Sequence, residues 1–261
     1  MTEALAAKSG FQHISRDSVG STNDEAMALA ASGATLPLWV TADRQLRGRG
    51  RQGAHWTSEP GNLYASLALR LGSVRHLSQL PLVAAVALHD ALSACVENMS
   101  GRLAIKWPND ILLDGRKVSG ILAESQIGAD KAVFAVVGLG VNLAHHPSST
   151  RHPATNLAAE GYSLEPTALF VALDRTMSER LAQWQGGEDD GFQPIRNAWL
   201  DRVSGLGSRI EVRLPGETLT GRFDGMDETG RLVLNRPGQP DRLVSAGEVF
   251  FADDRPTHGN N

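Results

Sequence analysis

A single cysteine, Cys95, stands in the 261 residues of this chain. One thiol excludes an internal disulfide and a cysteine metal cluster. Its place in an apolar helical pattern predicts a buried small residue of the kind found in reducing compartments. Long hydrophobic runs are also missing: no stretch approaches the ~20 apolar residues of a spanning helix, and Met1 to Gly10 has no apolar segment of signal-peptide type. The expectation is a cytoplasmic protein without a membrane role. Charge of one sign is scarce, since 25 Lys and Arg against 29 Asp and Glu leave a net charge of −4. Such a chain has no global field to gather a polyanion, so any nucleotide contact must come from a local basic cluster. The eight histidines show no metal-ligand spacing, which argues against a zinc site. Walker, Rossmann and Gly-x-Ser-x-Gly signatures are lacking too. What is present is ordinary for a folded protein, 41% apolar and 21% charged, with length for one large domain plus a small one.

Phe11 to Val19 reads as a strand, and Asp24 to Ala31 as a helix that Ser21, Thr22 or Asn23 would cap through a side-chain oxygen and Gly33 would close. Leu38 to Ala42 and an alternating Asn62 to Arg70 read as strands, joined by a loop dense in Gly and Arg. His76 to Asn98 has a helical apolar face, with Pro81 tolerable near its first turn. Leu103 to Trp107, Ile111 to Leu113 and Lys117 to Ser125 follow as strands, the last two joined by an Asp114-Gly115 hairpin turn. Ala132 to Val137 predicts a central strand running into Gly138-Leu139-Gly140-Val141-Asn142. Helices are expected at Glu165 to Trp184 and Phe192 to Val203, around a break at residues 186–191. Beyond Gly207 the texture changes to short strands at Ile210 to Leu214, Leu219 to Asp224, Arg231 to Leu234 and Arg242 to Val244. That pattern predicts a small β domain packed on the main body, with a frayed carboxy terminus.

Three constellations carry chemistry. In Arg47-Gly48-Arg49-Gly50-Arg51-Gln52-Gly53, glycines permit close backbone approach and arginine forks suit phosphate oxygens. The alternative is a mobile basic surface loop or a weak RNA contact. Lys106-Trp107-Pro108-Asn109-Asp110, with Lys117 across the hairpin, puts a cation and an oxygen pair at one sheet edge, a set that suits a metal-bound polyphosphate or an ordinary ion pair. Gly138 to Asn142 offers bare backbone followed by an amide, as a ligand floor or a structural bulge. Ser21-Thr22-Asn23 is either a plain cap or a turn whose hydroxyls and amide hold a neutral head group.

Taken in order, Ser-Thr-Asn at 21–23, Gly-Arg-Gly-Arg-x-Gly at 48–53, Lys-Trp-Pro-Asn-Asp at 106–110, Lys-x-x-Gly-Ile-Leu at 117–122 and Gly-x-Gly-x-Asn at 138–142 resemble the biotin protein ligase family over residues 11–250. The resemblance implies an α+β fold: a mixed, largely antiparallel sheet flanked by helices over 1–207, of the kind shared with class II synthetases and lipoate ligases, then an SH3-like β-barrel over 208–261. It implies formation of biotinyl-5′-AMP from biotin and ATP with Mg²⁺, then transfer of biotin to a lysine of a biotin carboxyl carrier protein. Carried onto matching positions, it gives Ser21, Thr22, Asn23, Gln45 and Gly120 to biotin, and Arg49, Gly50 and Arg51 to the loop that closes over biotin and the adenylate. Lys117 falls to the activated carboxylate, Trp56 to the adenine, Lys106, Asn109, Asp110 and Asn142 to the nucleotide, and Asp110 to Mg²⁺. Lys117, Arg51 and Arg49 are the implied catalytic groups. Arg47 and Ala54 depart from the family pattern, which bears on the loop rather than the reaction. The short lead before the catalytic region leaves no room for a helix-turn-helix domain of ~60 residues, so no operator DNA is expected as a partner; a monomer or a ligand-dependent homodimer is. The competing readings are a lipoate or octanoate ligase and a non-catalytic biotin or nucleotide sensor.

Overall fold

The computed structural model describes residues 9–74, 77–128, 131–148, 150, 152–186 and 191–251. Residues 1–8, His76, most of the 186–191 break and the carboxy-terminal residues expected to fray lie outside the described residues. In chain order the elements are β1 Gln12–Val19, α1 Thr22–Ala31, β2 Leu38–Gln45, β3 Leu63–Leu71, α2 Leu80–Cys95, β4 Leu103–Lys106, β5 Asp110–Leu113, β6 Arg116–Ile127 and β7 Val133–Val141. Then come α3 Pro166–Gln185, α4 Phe192–Leu200, β8 Arg209–Leu214, β9 Glu217–Met226, β10 Leu232–Asn235, β11 Arg242–Val244 and β12 Glu248–Phe251. The first seven strands form one sheet in the order β1-β2-β3-β7-β6-β5-β4. Only β1 and β2 pair in parallel. This is the mixed, largely antiparallel α+β sheet expected.

The pleat sorts side chains between two layers. Leu67 of β3 and Ala135, Val137 and Leu139 of β7 enter the large core with α2 and α3. Ala68 and Val136, one residue out of phase, meet Ala26 and Ala30 of α1 on the opposite face. Covered on both sides, β3 is buried almost without interruption, whereas alternation in the sequence suggested a half-buried strand. β7 lies between β3 and β6, the central position its apolar run predicted. Asp114 and Gly115 both take positive φ, 48° and 76°, the conformation a two-residue hairpin turn needs.

Two expectations are corrected. Ser21 takes the N-cap position of α1 but makes no side-chain bond to the helix, and the side chains of Thr22 and Asn23 bond to Gln45, Ser66 and Glu124 instead. Cys95 ends α2 and is only partly buried; that burial still pushes its thiol above the usual range.

The second sheet is antiparallel in the order β11-β10-β9-β8-β12. Ile210, Val212, Phe223 and Leu232 join the same apolar core as α2 and α4, and Arg196 Nε of α4 donates to the Met226 carbonyl at 2.8 Å. The expected small SH3-like module therefore packs on the main body. Its last strand, β12, has no counterpart among the strands expected from the sequence: four residues after a three-residue β11 give too short a pattern to read.

Candidate active site

The cavity begins where β7 runs out of side chains. Val136 fills the α1 face of the sheet, but the next two positions on that face are Gly138 and Gly140. A methyl group on Gly140 would lie 2.6 Å from the indole of Trp56, and one on Gly138 would overlap the Asn23 carboxamide. Bare backbone thus leaves a trough between β6, β7 and the first turn of α1. The cavity measures about 510 Å³ and is lined by every site residue singled out from the sequence, from Ser21 to Asn142.

At the α1 end, the polar groups are held by partners within the protein. Ser21, Thr22 and Asn23 are each at most 5% exposed. Gln45 Oε1 accepts from the Thr22 amide at 2.8 Å and its hydroxyl at 3.0 Å, while Gln45 Nε2 donates to Ser58 Oγ at 3.0 Å. Ser66 Oγ stands 2.7 Å from both Thr22 Oγ1 and Asn23 Oδ1, and Asn23 Nδ2 donates to Glu124 at 2.7 Å. Fixed donors and acceptors beside an apolar trough suit a small neutral head group.

The arginine loop folds over this trough. Gly48 passes so close to the Trp56 carbonyl and Ser58 Oγ that no Cβ fits. Arg49 forks onto Asp24 at 2.6 and 2.7 Å and reaches Glu124 at 3.3 Å, which holds the Asp24 carboxyl below its usual range. Arg51 turns the other way, donating to Asn109 Oδ1 at 3.1 Å and to the Gly247 carbonyl at 3.2 Å. Burial lowers the Arg51 pKa, opposed by Asp110 and Glu248. The guanidinium therefore stands partly desolvated beside the cavity, where its attraction for an anion is strongest. Trp56 lies over Gly140 with Nε1 buried and without a hydrogen-bond partner. Of the two departures, Arg47 packs its head against Gly20 and its amide donates to the Gly20 carbonyl at 2.7 Å.

Lys117 reaches the cavity through an irregularity. The register of β5 and β6 shifts between Ile111 and Leu112: Ile111 pairs with Ser119 but Leu112 with Lys117. Val118 is the extra residue between them, and its side chain goes to the core. A bulge of this kind re-aims a side chain. Lys117 Nζ then stands 2.6 Å from Asp110 Oδ1 and 5.5 Å from the centre of the Trp56 ring. The contact with Asp110 is ionic without hydrogen-bond alignment. Asn109 Nδ2 donates to the Ile121 carbonyl at 2.5 Å, and Asn142 Nδ2 to that of Thr155 at 3.1 Å.

Several residues here carry no signal in the sequence. Ser66 and Glu124 brace the head-group end, and neither belongs to a motif. His152 and Glu248 close the far end: His152 Nδ1 lies 3.3 Å from Lys106 Nζ, and its Nε2 lies 3.0 Å from Glu248 Oε1. Among the described residues no group of three or more His, Cys, Asp or Glu could hold a metal.

A glycine-floored trough with a fixed polar end, a cationic middle and a second cationic end defines a site for a small acid joined to a phosphate-bearing ligand. Residues 18–142 match the model of the Biotin/lipoate A/B protein ligase family, and residues 205–252 match that of the Biotin protein ligase C terminal domain. A biotin–[acetyl-CoA-carboxylase] ligase of Paracoccus denitrificans is 42% identical over 241 residues, covering 88% of this chain and 97% of the relative. A bifunctional ligase/repressor of Bacillus subtilis is 33% identical, over 90% of this chain and 73% of its own length. The structure of the biotin protein ligase of Aquifex aeolicus in complex with biotin and ATP superposes with a TM-score of 0.78 at 26% identity, over 92% of this chain and 97% of that one. The chain belongs to the biotin protein ligase family.

Proposed function

We propose that this chain joins biotin to ATP as biotinyl-5′-AMP and then passes the biotinyl group to a lysine of a biotin carboxyl carrier protein. The observation that carries this is the convergence on one trough of the Ser21–Asn23 end, the Arg51 and Lys117 cations and the Lys106 end. The distances and hydrogen bonds above support it, as does the membership of the family.

In the first step a biotin carboxylate oxygen attacks the α-phosphorus of ATP, forming a carbon–oxygen–phosphorus link and releasing pyrophosphate. Both reactants are anions. Arg49, Arg51 and Lys117 offset the repulsion and stabilise the charge that builds on the phosphorus oxygens, the largest kind of contribution a preorganised site makes. Thr22, Asn23 and Gln45, with Ser21 and Gly120 beside them, fix the head group so that its carboxylate end points along the trough to Lys117. Trp56 offers its face to the adenine, and Lys106, Asn109 and Asn142 take the nucleotide. Gly50 lines the cavity within the closing loop.

In the second step the ε-amine of the acceptor lysine attacks the acyl carbon, an amide forms, AMP leaves and the amine gives up its proton. No enzyme nucleophile is needed. The requirement is a closed loop that keeps water from the mixed anhydride, and the Arg49–Asp24 and Arg51–Gly247 contacts supply the closure. A Mg²⁺ ion would fit as a companion of the polyphosphate rather than as a resident of the protein, with the Asp110 carboxylate the group that would hold it. When bound, the ion shields phosphate charge.

Residues 1–207 form the catalytic domain in this reading, and residues 208–261 the barrel that contributes Gly247 and Glu248 to the cavity wall. No helix of the described residues is long and apolar enough to cross a membrane, and the use of ATP supports the reading of a cytoplasmic reaction. The test is transfer to an isolated carrier domain. ATP- and biotin-dependent gain of one biotinyl group supports the reading, whereas gain of lipoyl on a lipoyl domain, or of neither group, refutes it.

A further inference from the structure

His152 has no part in the motifs that fill the cavity, yet its surroundings are specified atom by atom. The residues that follow it run beside β6: the Lys117 amide donates to the Pro153 carbonyl at 2.8 Å and the Thr155 amide to the Lys117 carbonyl at 2.9 Å. The backbone that follows His152 is therefore anchored to that of Lys117. The His152 ring lies against Phe250 with centroids 4.7 Å apart and the planes tilted by 35°, and its two nitrogens face groups of opposite character. Nε2 meets Glu248 of β12 at 3.0 Å, and Nδ1 meets the Lys106 ammonium of β4 at 3.3 Å.

These partners decide the tautomer. A carboxylate only accepts, so Nε2 carries the hydrogen. An ammonium only donates, so Nδ1 presents its lone pair. The neutral ring satisfies both neighbours at once. A protonated ring would set Nδ1–H against the ammonium and break the arrangement.

We propose that His152 is a positioning residue: its neutral imidazole holds the Lys106 ammonium toward the nucleotide end of the cavity and ties it to Glu248 of the carboxy-terminal module. The inference rests on the reading of that end as the ATP site. Lys106 is 6% exposed, with the Phe251 ring centre 5.1 Å from Nζ, so its aim is set by these contacts rather than by water. The charged groups that face the ring are Lys106 from β4, Glu248 from β12 and, at longer range, Asp110 from β5; Arg213 stacks on the far partner Phe250 at 3.9 Å. Burial, then Lys106, push the His152 pKa down, and Glu248 and Asp110 pull against them. The neutral form therefore prevails at neutral pH, and the arrangement fails only on acidification.

The experiment compares the wild-type chain with His152→Ala and His152→Asn, the second of which keeps an acceptor for Lys106 but cannot titrate. Binding of a non-hydrolysable ATP analogue is followed by calorimetry without biotin, and biotin-dependent ATP–pyrophosphate exchange is followed from about pH 5.5 to 8.5, a range that spans histidine titration. His152→Ala is expected to weaken the analogue and raise the KM for ATP by roughly tenfold near neutral pH, with kcat changed by less than about threefold, as loss of one charge-assisted hydrogen bond implies. His152→Asn is expected to restore most of the affinity and to flatten the acidic limb of kcat/KM for ATP. An unchanged analogue affinity in His152→Ala, or an acidic limb that persists in His152→Asn, overturns the inference. Wild-type exchange without biotin dependence overturns the biotin reading instead, and the calorimetric comparison still judges His152.

Discussion

Placing a methyl group on Gly138 tests whether the trough depends on bare backbone. In Gly138→Ala the new Cβ would overlap Asn23 Oδ1, stand 2.9 Å from Cγ and 3.2 Å from Nδ2. Asn23 can yield only by giving up contacts, since it is 5% exposed and held by Ser66 at 2.7 Å and Glu124 at 2.7 Å. Overpacking at a rigid site costs about 1–3 kcal/mol. At roughly 2–4 °C per kcal/mol for a chain near this size, the melting temperature should fall by about 2–12 °C. If Asn23 turns aside instead, the penalty appears in biotin binding, where about 1.4 kcal/mol is tenfold. The decisive form is a cycle with Asn23→Ala, in which the obstructing carboxamide is gone. The double variant should melt above the sum of the two losses, with a coupling of at least about 1 kcal/mol for residues in contact. Additive losses, together with unchanged biotin affinity in Gly138→Ala, would refute the close approach.

Lys117→Ala and Arg51→Ala should each lower the rate of biotin-dependent ATP–pyrophosphate exchange by about 10²–10³, the loss typical of a transition-state charge contact; rates within twofold of wild type would remove these residues from the step. Asp24→Asn should loosen the arginine loop, read as faster hydrogen exchange across residues 46–56. Because Arg49 depresses the Asp24 pKa, the wild-type advantage is present above the ordinary carboxylate pKa and fades as pH falls through the lowered one. Its size stays below about 1 kcal/mol for so exposed a pair, and an advantage that grows in acid would contradict the assignment. Glu160→Ala should lower the melting temperature by several degrees, since Glu160 accepts from Thr155 at 2.5 Å and pairs with Arg116 at 2.6 Å and its loss leaves about 1–3 kcal/mol of unsatisfied partners. A neutral outcome would show that residues 153–157 are held without it.

Much of the fold was legible because its signals are local. The Asp114-Gly115 turn, the apolar run of β7 and the amphipathic α3 each carry their period or turn chemistry within a few residues. The site was legible as motifs, but its geometry was not. Lys117 faces the cavity through a bulge at Val118 that no alternation pattern reveals. The cap expected at Ser21–Asn23 yields to tertiary contacts with Gln45 and Ser66, which lie far along the chain. β3 reads as half-buried because its second covering layer, α1, is set by topology rather than by its own sequence. β12 is too short to read, and with it go Glu248 and the far wall of the cavity, which only long-range packing brings beside Lys106 and His152.

The most direct test of the central claim is the intact mass of a biotin-accepting carrier domain after incubation with the purified chain, biotin, ATP and Mg²⁺. A gain of one biotinyl group on the acceptor lysine, lost when ATP or biotin is left out, is the predicted result. An acceptor of unchanged mass, with the chain folded and the same acceptor modified by a known ligase, would contradict it.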